Sequence, residues 1–174
     1  MPRTVEAAVL VPLFSAPDGA LQLLLIRRVN RGLHAGEIAL PGGKRDARDA
    51  TLAATAIRET VEETGANADG ITLVESLPPV HTFSSGFRIH PFLAHIERPA
   101  YWRPGPGEVE GIIELPVADL LHPQARRHER IAAHGLAEPA EFPCLRVGDI
   151  RIWGATWRIL EPLLPRLADP PWSP

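Results

Sequence analysis

Cysteine is nearly absent: Cys144 is the only one in 174 residues. An intrachain disulfide and a cysteine-based zinc cluster are therefore both excluded. Cys144 follows a proline in the strand-like run "FPCLRV", and it reads as a buried structural thiol rather than a nucleophile. Lysine is as scarce, with Lys44 the single one among 18 basic residues. The formal net charge is -3 and no basic patch extends beyond pairs such as Arg126 and Arg127, so a groove for nucleic acid is not expected. No apolar run approaches the ~20 residues that span a bilayer, and "MPRTVEAAVLVPLF" lacks the cleavage pattern of a signal peptide. The default expectation is a cytoplasmic protein without membrane partners. Internal repeats and long linkers are also missing. With 45% hydrophobic and 22% charged residues, the chain reads as one globular domain over residues 1–168 and a poorly ordered tail over 169–174.

What is present is an alternation of apolar runs and turn signals. "TVEAAVLVPLF" and "LQLLLIRR" flank Asp18-Gly19 and predict a hairpin; "EIAL" predicts a short strand. "PGGKRDARD" is too polar and too rich in helix and strand breakers for a regular element and predicts an irregular loop. Asp49 is a candidate N-cap for a helix over residues 50–64, with Ala53, Ile57 and Val61 as its apolar stripe and Gly65 as its stop. The acidic residues of that helix lie off the stripe. "ITLVESLPPV", "FRIHPFLAHI" and "VEGIIELPV" predict strands, and "ADLL" a short helix. "EFPCLRVGDIRIWG" predicts a second hairpin turning at Gly148-Asp149, followed by a helix interrupted by Pro162 and Pro165. The order of elements fits an α+β protein with a mixed sheet flanked by helices.

One stretch of the helix raises a chemical question. "RETVEETG" sets Glu59 and Glu63 one turn apart on one face, with Glu62 about 60° to the side. Arg58 and Glu62 attract as an i,i+4 pair, but one arginine cannot neutralise three carboxylates. Either water screens them or a hard divalent cation such as Mg²⁺ or Mn²⁺ does. On these residues alone a solvated face is the ordinary reading.

The preceding segment changes that balance. "LPGGKRDARDATLAATAIRETVEETGA" resembles the Nudix box, in which a glycine loop leads into a helix bearing Arg-Glu and Glu-Glu. Arg58, Glu59, Glu62, Glu63 and Gly65 match its second half, although Thr60 replaces an aliphatic residue. Gly43 lies 15 positions before Arg58, one more than usual, and Asp49 stands six after Gly43 where glutamate is expected. Upstream, "LLLIRRVNRGLHAGEIALPGG" is similar to the corresponding segment of the coenzyme A pyrophosphatase branch, through Leu23, Leu24, Arg27, Gly36, Pro41, Gly42 and Gly43. Gly32 and Leu40 depart from that pattern, with Arg31 one place before its second arginine.

The resemblance implies a Nudix fold, an α/β/α sandwich with a mixed central sheet. It implies hydrolysis of the pyrophosphate of coenzyme A or acyl-coenzyme A, aided by Mg²⁺ or Mn²⁺. Glu59, Glu62, Glu63 and the Gly43 carbonyl are the implied metal ligands. Arg58, Glu62 and Glu108 are the catalytic candidates, Arg58 by orienting carboxylates and Glu108 as general base, with Glu110 its neighbour in "GPGEVEG". Arg27, Arg31 and the Gly42 amide are the substrate-binding candidates. Other nucleoside diphosphate derivatives (ADP-ribose, a dinucleoside polyphosphate, an oxidised nucleotide) are the alternative substrates, and a non-catalytic ligand sensor the alternative class. The partner is a small molecule, and a homodimer is compatible with the chain.

Overall fold

The structure, a computed structural model, describes residues 4–29, 36–82 and 86–168. Its main sheet begins with the expected hairpin: β1 (Val5–Ser15) pairs antiparallel with β2 (Leu21–Arg28). Gly19 adopts φ +85° in the turn, a conformation open to glycine without a Cβ penalty. The short β3 (Ile38–Ala39) pairs with β2 at Arg27 and Ile26.

The glycine-rich segment departs from expectation. Gly42–Lys44 is not irregular but forms β4, antiparallel to Ala7, Ala8 and Val9 of β1. Glycine has weak strand propensity, and close approach is what selects it here. A Cβ on Gly42, at φ +153°, would lie 2.3 Å from the Ala8 carbonyl oxygen and 2.6 Å from the Val9 Cα.

The helix α1 (Leu52–Thr64) starts later than expected. Its N-cap is Thr51, whose hydroxyl accepts from the Ala54 N–H at 3.1 Å, and Asp49 is turned elsewhere. Gly65, at φ +72°, ends the helix as expected. The buried face also differs: Thr55, Ala56, Thr60, Glu63 and Thr64 are buried, whereas Ala53, Ile57 and Val61 are only half-buried. Thr60 is tolerated at a fully buried position because its hydroxyl donates to the Ala56 carbonyl at 2.7 Å.

Beyond α1, β5 (Ile71–Ser76) and β6 (Val80–His81) divide at Pro78-Pro79 what the sequence read as one strand. Both pair antiparallel with β7 (Phe87–Ile96), which runs parallel to β1, and β8 (Val109–Pro116) pairs with β2. The central sheet is thus mixed, in the order β3-β2-β1-β7-β5 with β4, β6 and β8 attached off that path.

After α2 (Val117–Leu121) comes a strand that the sequence reading missed, β9 (Arg126–Ile131). Its "RRHERI" offers one buried apolar side chain, Ile131. It joins β10 (Ala140–Val147) and β11 (Ile150–Trp153), the expected second hairpin, in a separate three-stranded sheet. The final helix breaks around Pro162 into α3 (Gly154–Leu160) and α4 (Leu164–Leu167), and Pro165 sits in the first turn of α4, where a proline is tolerated.

Both faces of the central sheet are covered, which explains the unbroken apolar run of β2. Leu23 and Leu25 face one core with Val11, Leu13, Ile152 and Leu160, beneath the second sheet and the C-terminal helices. Leu24 faces the other with Ala8, Leu10, Phe14 and Ala56 of α1. Cys144 is 1% exposed, and burial pushes its thiol pKa upward, as a structural thiol requires. Among the described residues no helix is long and apolar enough to cross a membrane. The tail at 169–174 and Arg31 lie outside the described residues.

Candidate active site

Asp49 anchors the acidic helix from outside it. One oxygen accepts from Arg58 Nε at 3.0 Å; the other accepts from Arg58 Nη2 at 3.0 Å, the Thr55 hydroxyl at 2.9 Å and the Asp46 N–H at 2.9 Å. The bidentate guanidinium beside it holds this carboxyl well below the usual carboxylate range, and the Asp46 and Thr55 hydrogen bonds add to that. In turn Asp49 raises the pKa of Arg58 above its ordinary value. The second Arg58 edge reaches two members of the acidic cluster: Nη1 lies 2.9 Å from Glu59 Oε1 and 3.1 Å from Glu62 Oε2. One planar cation thus ties the loop before α1 to two carboxylates on it, which a lysine point charge could not do.

The three glutamates differ in environment. Glu63 is 3% exposed, and its Oε2 accepts the Gly42 N–H at 2.8 Å. Burial pushes its pKa up to about 7, opposed by the Gly42 hydrogen bond and the Arg28 charge and reinforced by Glu59 and Glu108. Burial also raises the pKa of Glu59, against the pull of Arg58. Glu62 is the open member, its side chain 58% exposed. The acids lie off the Ala53, Ile57 and Val61 stripe as expected, but the buried face of α1 is not that stripe, and it includes Glu63.

Two glycine segments close around the acids. A Cβ on Gly43 would lie 2.6 Å from the Glu59 carboxyl carbon, so glycine lets β4 lie against that carboxylate where a larger residue would displace it. At the other end of α1, the Arg103 and Gly105 N–H groups donate to the Thr64 and Glu63 carbonyls at 2.9 and 3.0 Å. These satisfy carbonyls that the helix terminus leaves without partners. This strap brings Glu108 over the cluster. Glu59, Glu62, Glu63 and Glu108 line one cavity of about 170 Å³ together with Gly105 and Pro106; Glu110 does not line it.

The same four acids border a wider cavity of about 950 Å³ that also takes in Arg28, Lys44, Gly42, Gly43, Phe87 and Trp153. Arg27 is not part of either lining; its Nη2 lies 3.4 Å from Asp149 in the β10–β11 turn. The register between β2 and β8 shifts between Arg27 and Arg28. Such a bulge re-aims side chains at a sheet edge, and here Arg28, not Arg27, borders the cavity. Sequence reasoning missed Arg28 because bulges leave no local signature. It also missed Lys44, whose Nζ sits 5.4 Å from the centroid of the Phe87 ring; its being the single lysine was the available signal. The Gly42 amide, expected to face substrate, is committed to Glu63.

The donor set suits a hard divalent cation. It is all oxygen, two of its carboxylates are desolvated, and one guanidinium serves Asp49, Glu59 and Glu62 together. Among the described residues no three His, Cys, Asp or Glu side chains are already drawn together at ligand distance, since Glu59 and Glu62 turn toward Arg58. Arg58 engages one oxygen of each carboxylate, Glu59 Oε1 and Glu62 Oε2, so each can keep that partner while its other oxygen meets a cation.

A model of the NUDIX domain matches residues 4–135. The chain belongs to the Nudix family. As a Nudix protein it is 32% identical over 158 residues to NudL of Salmonella newport, an uncharacterized Nudix hydrolase, across 91% of this chain and 80% of that one. A MutT/nudix family protein from Enterococcus faecalis shares the fold over 97% of this chain and 64% of that one, with TM-score 0.63 and 19% identity. The NUDIX domain of Shewanella oneidensis NrtR, solved in complex with ADP ribose, matches over 70% of this chain and 78% of that one, with TM-score 0.54 and 20% identity. The mixed central sheet with its flanking helices is the Nudix fold, as expected from the box.

Proposed function

We propose that this Nudix chain is a metal-dependent pyrophosphatase that cleaves coenzyme A or its acyl derivatives to 3',5'-ADP and 4'-phosphopantetheine or its acyl form. The observation that carries the hydrolytic reading is the gathering of Glu59, Glu62, Glu63 and Glu108 around one cavity, with Gly42 and Gly43 wrapped against them. Four acids beside a phosphate site make sense only if positive charge joins them. Glu59, Glu62, Glu63 and the Gly43 carbonyl would hold Mg²⁺ or Mn²⁺, which when bound offsets phosphate charge and makes water a better nucleophile.

The chain's own residues supply the rest. Arg58, braced by Asp49, holds the Glu59 and Glu62 carboxylates in place and is a positioning residue. Glu108 accepts the proton of the attacking water as its oxygen bonds to phosphorus and the bridging P–O bond breaks. Arg28 and Lys44 face the phosphates from the wider cavity.

Two features favour another nucleoside diphosphate derivative as the alternative substrate. Gly32 and Leu40 depart from the coenzyme A pattern, and Arg27, which matches that pattern, pairs with Asp149 instead of bordering the cavity. The ADP ribose bound by NrtR makes that molecule a natural competitor. A substrate panel with Mg²⁺ decides: cleavage of ADP-ribose or a dinucleoside polyphosphate under conditions that leave coenzyme A intact would overturn the first assignment. Absence of turnover on every pyrophosphate would favour a ligand sensor, a reading that retention of all three box acids opposes.

A further inference from the structure

The NUDIX match ends at residue 135, yet the wall of the wider cavity continues past it. Phe142 on β10, Trp153 at the end of β11 and Trp157 on α3 border the same cavity as the acidic cluster. Strand register explains how the first two meet. Cys144 pairs with Trp153, so Phe142, two residues before Cys144, is the diagonal neighbour of Trp153 on one face of the second sheet. Their ring centroids are 5.5 Å apart at 51°. Phe87 of β7 adds a fourth ring, with the Lys44 ammonium over it.

Arg28, Lys44 and Arg158 border the cavity with these rings. Neither the Arg28 nor the Lys44 side chain forms a hydrogen bond or ion pair among the described residues. Cations beside acids suited to a metal ion call for an anionic phosphate ester, and π-faces in the same cavity call for a flat ring attached to it. Both demands meet in a nucleotide, whereas a saturated chain alone would need neither the cations nor the flat faces.

Resting on the pyrophosphatase reading above, we propose that the aromatic wall of the C-terminal sheet is the subsite for the substrate's nucleobase, with Trp153 the main stacking residue. Selection among Nudix substrates then lies largely in residues outside the matched family segment.

Stacking of a base on an aromatic side chain is worth about 1–3 kcal/mol by alanine substitution, so Trp153→Ala should weaken binding about 5- to 150-fold. The probes are adenosine 3',5'-bisphosphate and ribose 5-phosphate, titrated calorimetrically into the full chain with Mg²⁺. The expected result is a loss for the bisphosphate in Trp153→Ala, recovery of most of it in Trp153→Phe, and ribose 5-phosphate binding alike in all forms. Should the alanine variant not fold, Trp153→Leu keeps apolar bulk without a π-face and must show the same loss. Unchanged bisphosphate affinity in folded Ala or Leu variants would overturn the proposal. So would a change confined to discrimination between acetyl- and decanoyl-coenzyme A, which would assign the wall to the acyl arm. If the chain leaves coenzyme A intact while nucleotide affinity still depends on Trp153, the substrate assignment fails and the subsite stands. If coenzyme A is cleaved without that dependence, the reverse holds.

Discussion

Glu63→Gln should stabilise the metal-free protein at high pH, the opposite of what most substitutions at a buried site do. Glu63 is 3% exposed and its pKa is pushed up to about 7 from an ordinary 4.5. Between those two values the folded state keeps a proton that the unfolded chain has released, so stability falls as pH rises. Below about pH 4.5 both states are protonated and nothing is lost; above about pH 7 the loss is complete. A shift of about 2.5 units corresponds to roughly 3 kcal/mol at 1.36 kcal/mol per unit. Glutamine removes the charge and still offers an oxygen to the Gly42 N–H. For a chain of this size, about 3 kcal/mol is roughly 6–12 °C in Tm. The assay is thermal unfolding by circular dichroism in EDTA from pH 5 to pH 8. Wild type and variant should melt near one another at pH 5, with the variant pulling ahead as pH rises. Saturating Mg²⁺ should reverse the order, because a ligand binding only the folded state stabilises the protein that holds it. A Glu63→Gln protein destabilised equally at pH 5 and pH 8 in EDTA would refute the argument.

Three further outcomes follow from named contacts. Arg58→Ala should lower the midpoint of chemical denaturation, since it takes the bidentate partner from the Asp49 carboxylate; it should also weaken Mn²⁺ binding about 10- to 100-fold by electron paramagnetic resonance. Gly43→Ala should leave the protein folded while displacing the flexible Glu59 carboxylate and lowering Mn²⁺ affinity; Gly42→Ala, meeting Ala8 and Val9 backbone, should destabilise it, and equal melting curves for the two would contradict the geometry. Steady-state kinetics should show a raised KM for Arg28→Ala on any pyrophosphate substrate and little effect for Arg27→Ala, whose guanidinium is turned to Asp149.

The parts of the fold that sequence made readable are those in which local chemistry and tertiary context agree. Asp18-Gly19 and Gly148-Asp149 mark turns between apolar runs, and both become hairpins. Gly65 stops α1 as its left-handed conformation requires. The failures share a cause in context. Gly42 and Gly43 have no strand propensity, and only pairing with β1 makes them a strand. The "RRHERI" of β9 is a strand because β10 offers it a ladder, not because its side chains ask for burial.

At the site, the residue types were legible and their division of labour was not. Arg58, Glu59, Glu62 and Glu63 stood out by spacing, but that Glu63 is the buried member depends on the segment packed over α1. The choice between Arg27 and Arg28 depends on a bulge in the β2–β8 register. Asp49 read as a helix cap and serves instead as the brace of Arg58, because Thr51 two residues later takes the capping position.

The central claim is that the acidic cavity hydrolyses a pyrophosphate and that coenzyme A is the substrate. Incubation of the full chain with coenzyme A and Mg²⁺, followed by mass-spectrometric identification of products, tests both parts at once. The account predicts equimolar 3',5'-ADP and 4'-phosphopantetheine, with one solvent oxygen incorporated from ¹⁸O-labelled water and no products when EDTA is added. Intact coenzyme A beside cleaved ADP-ribose in the same preparation would contradict it.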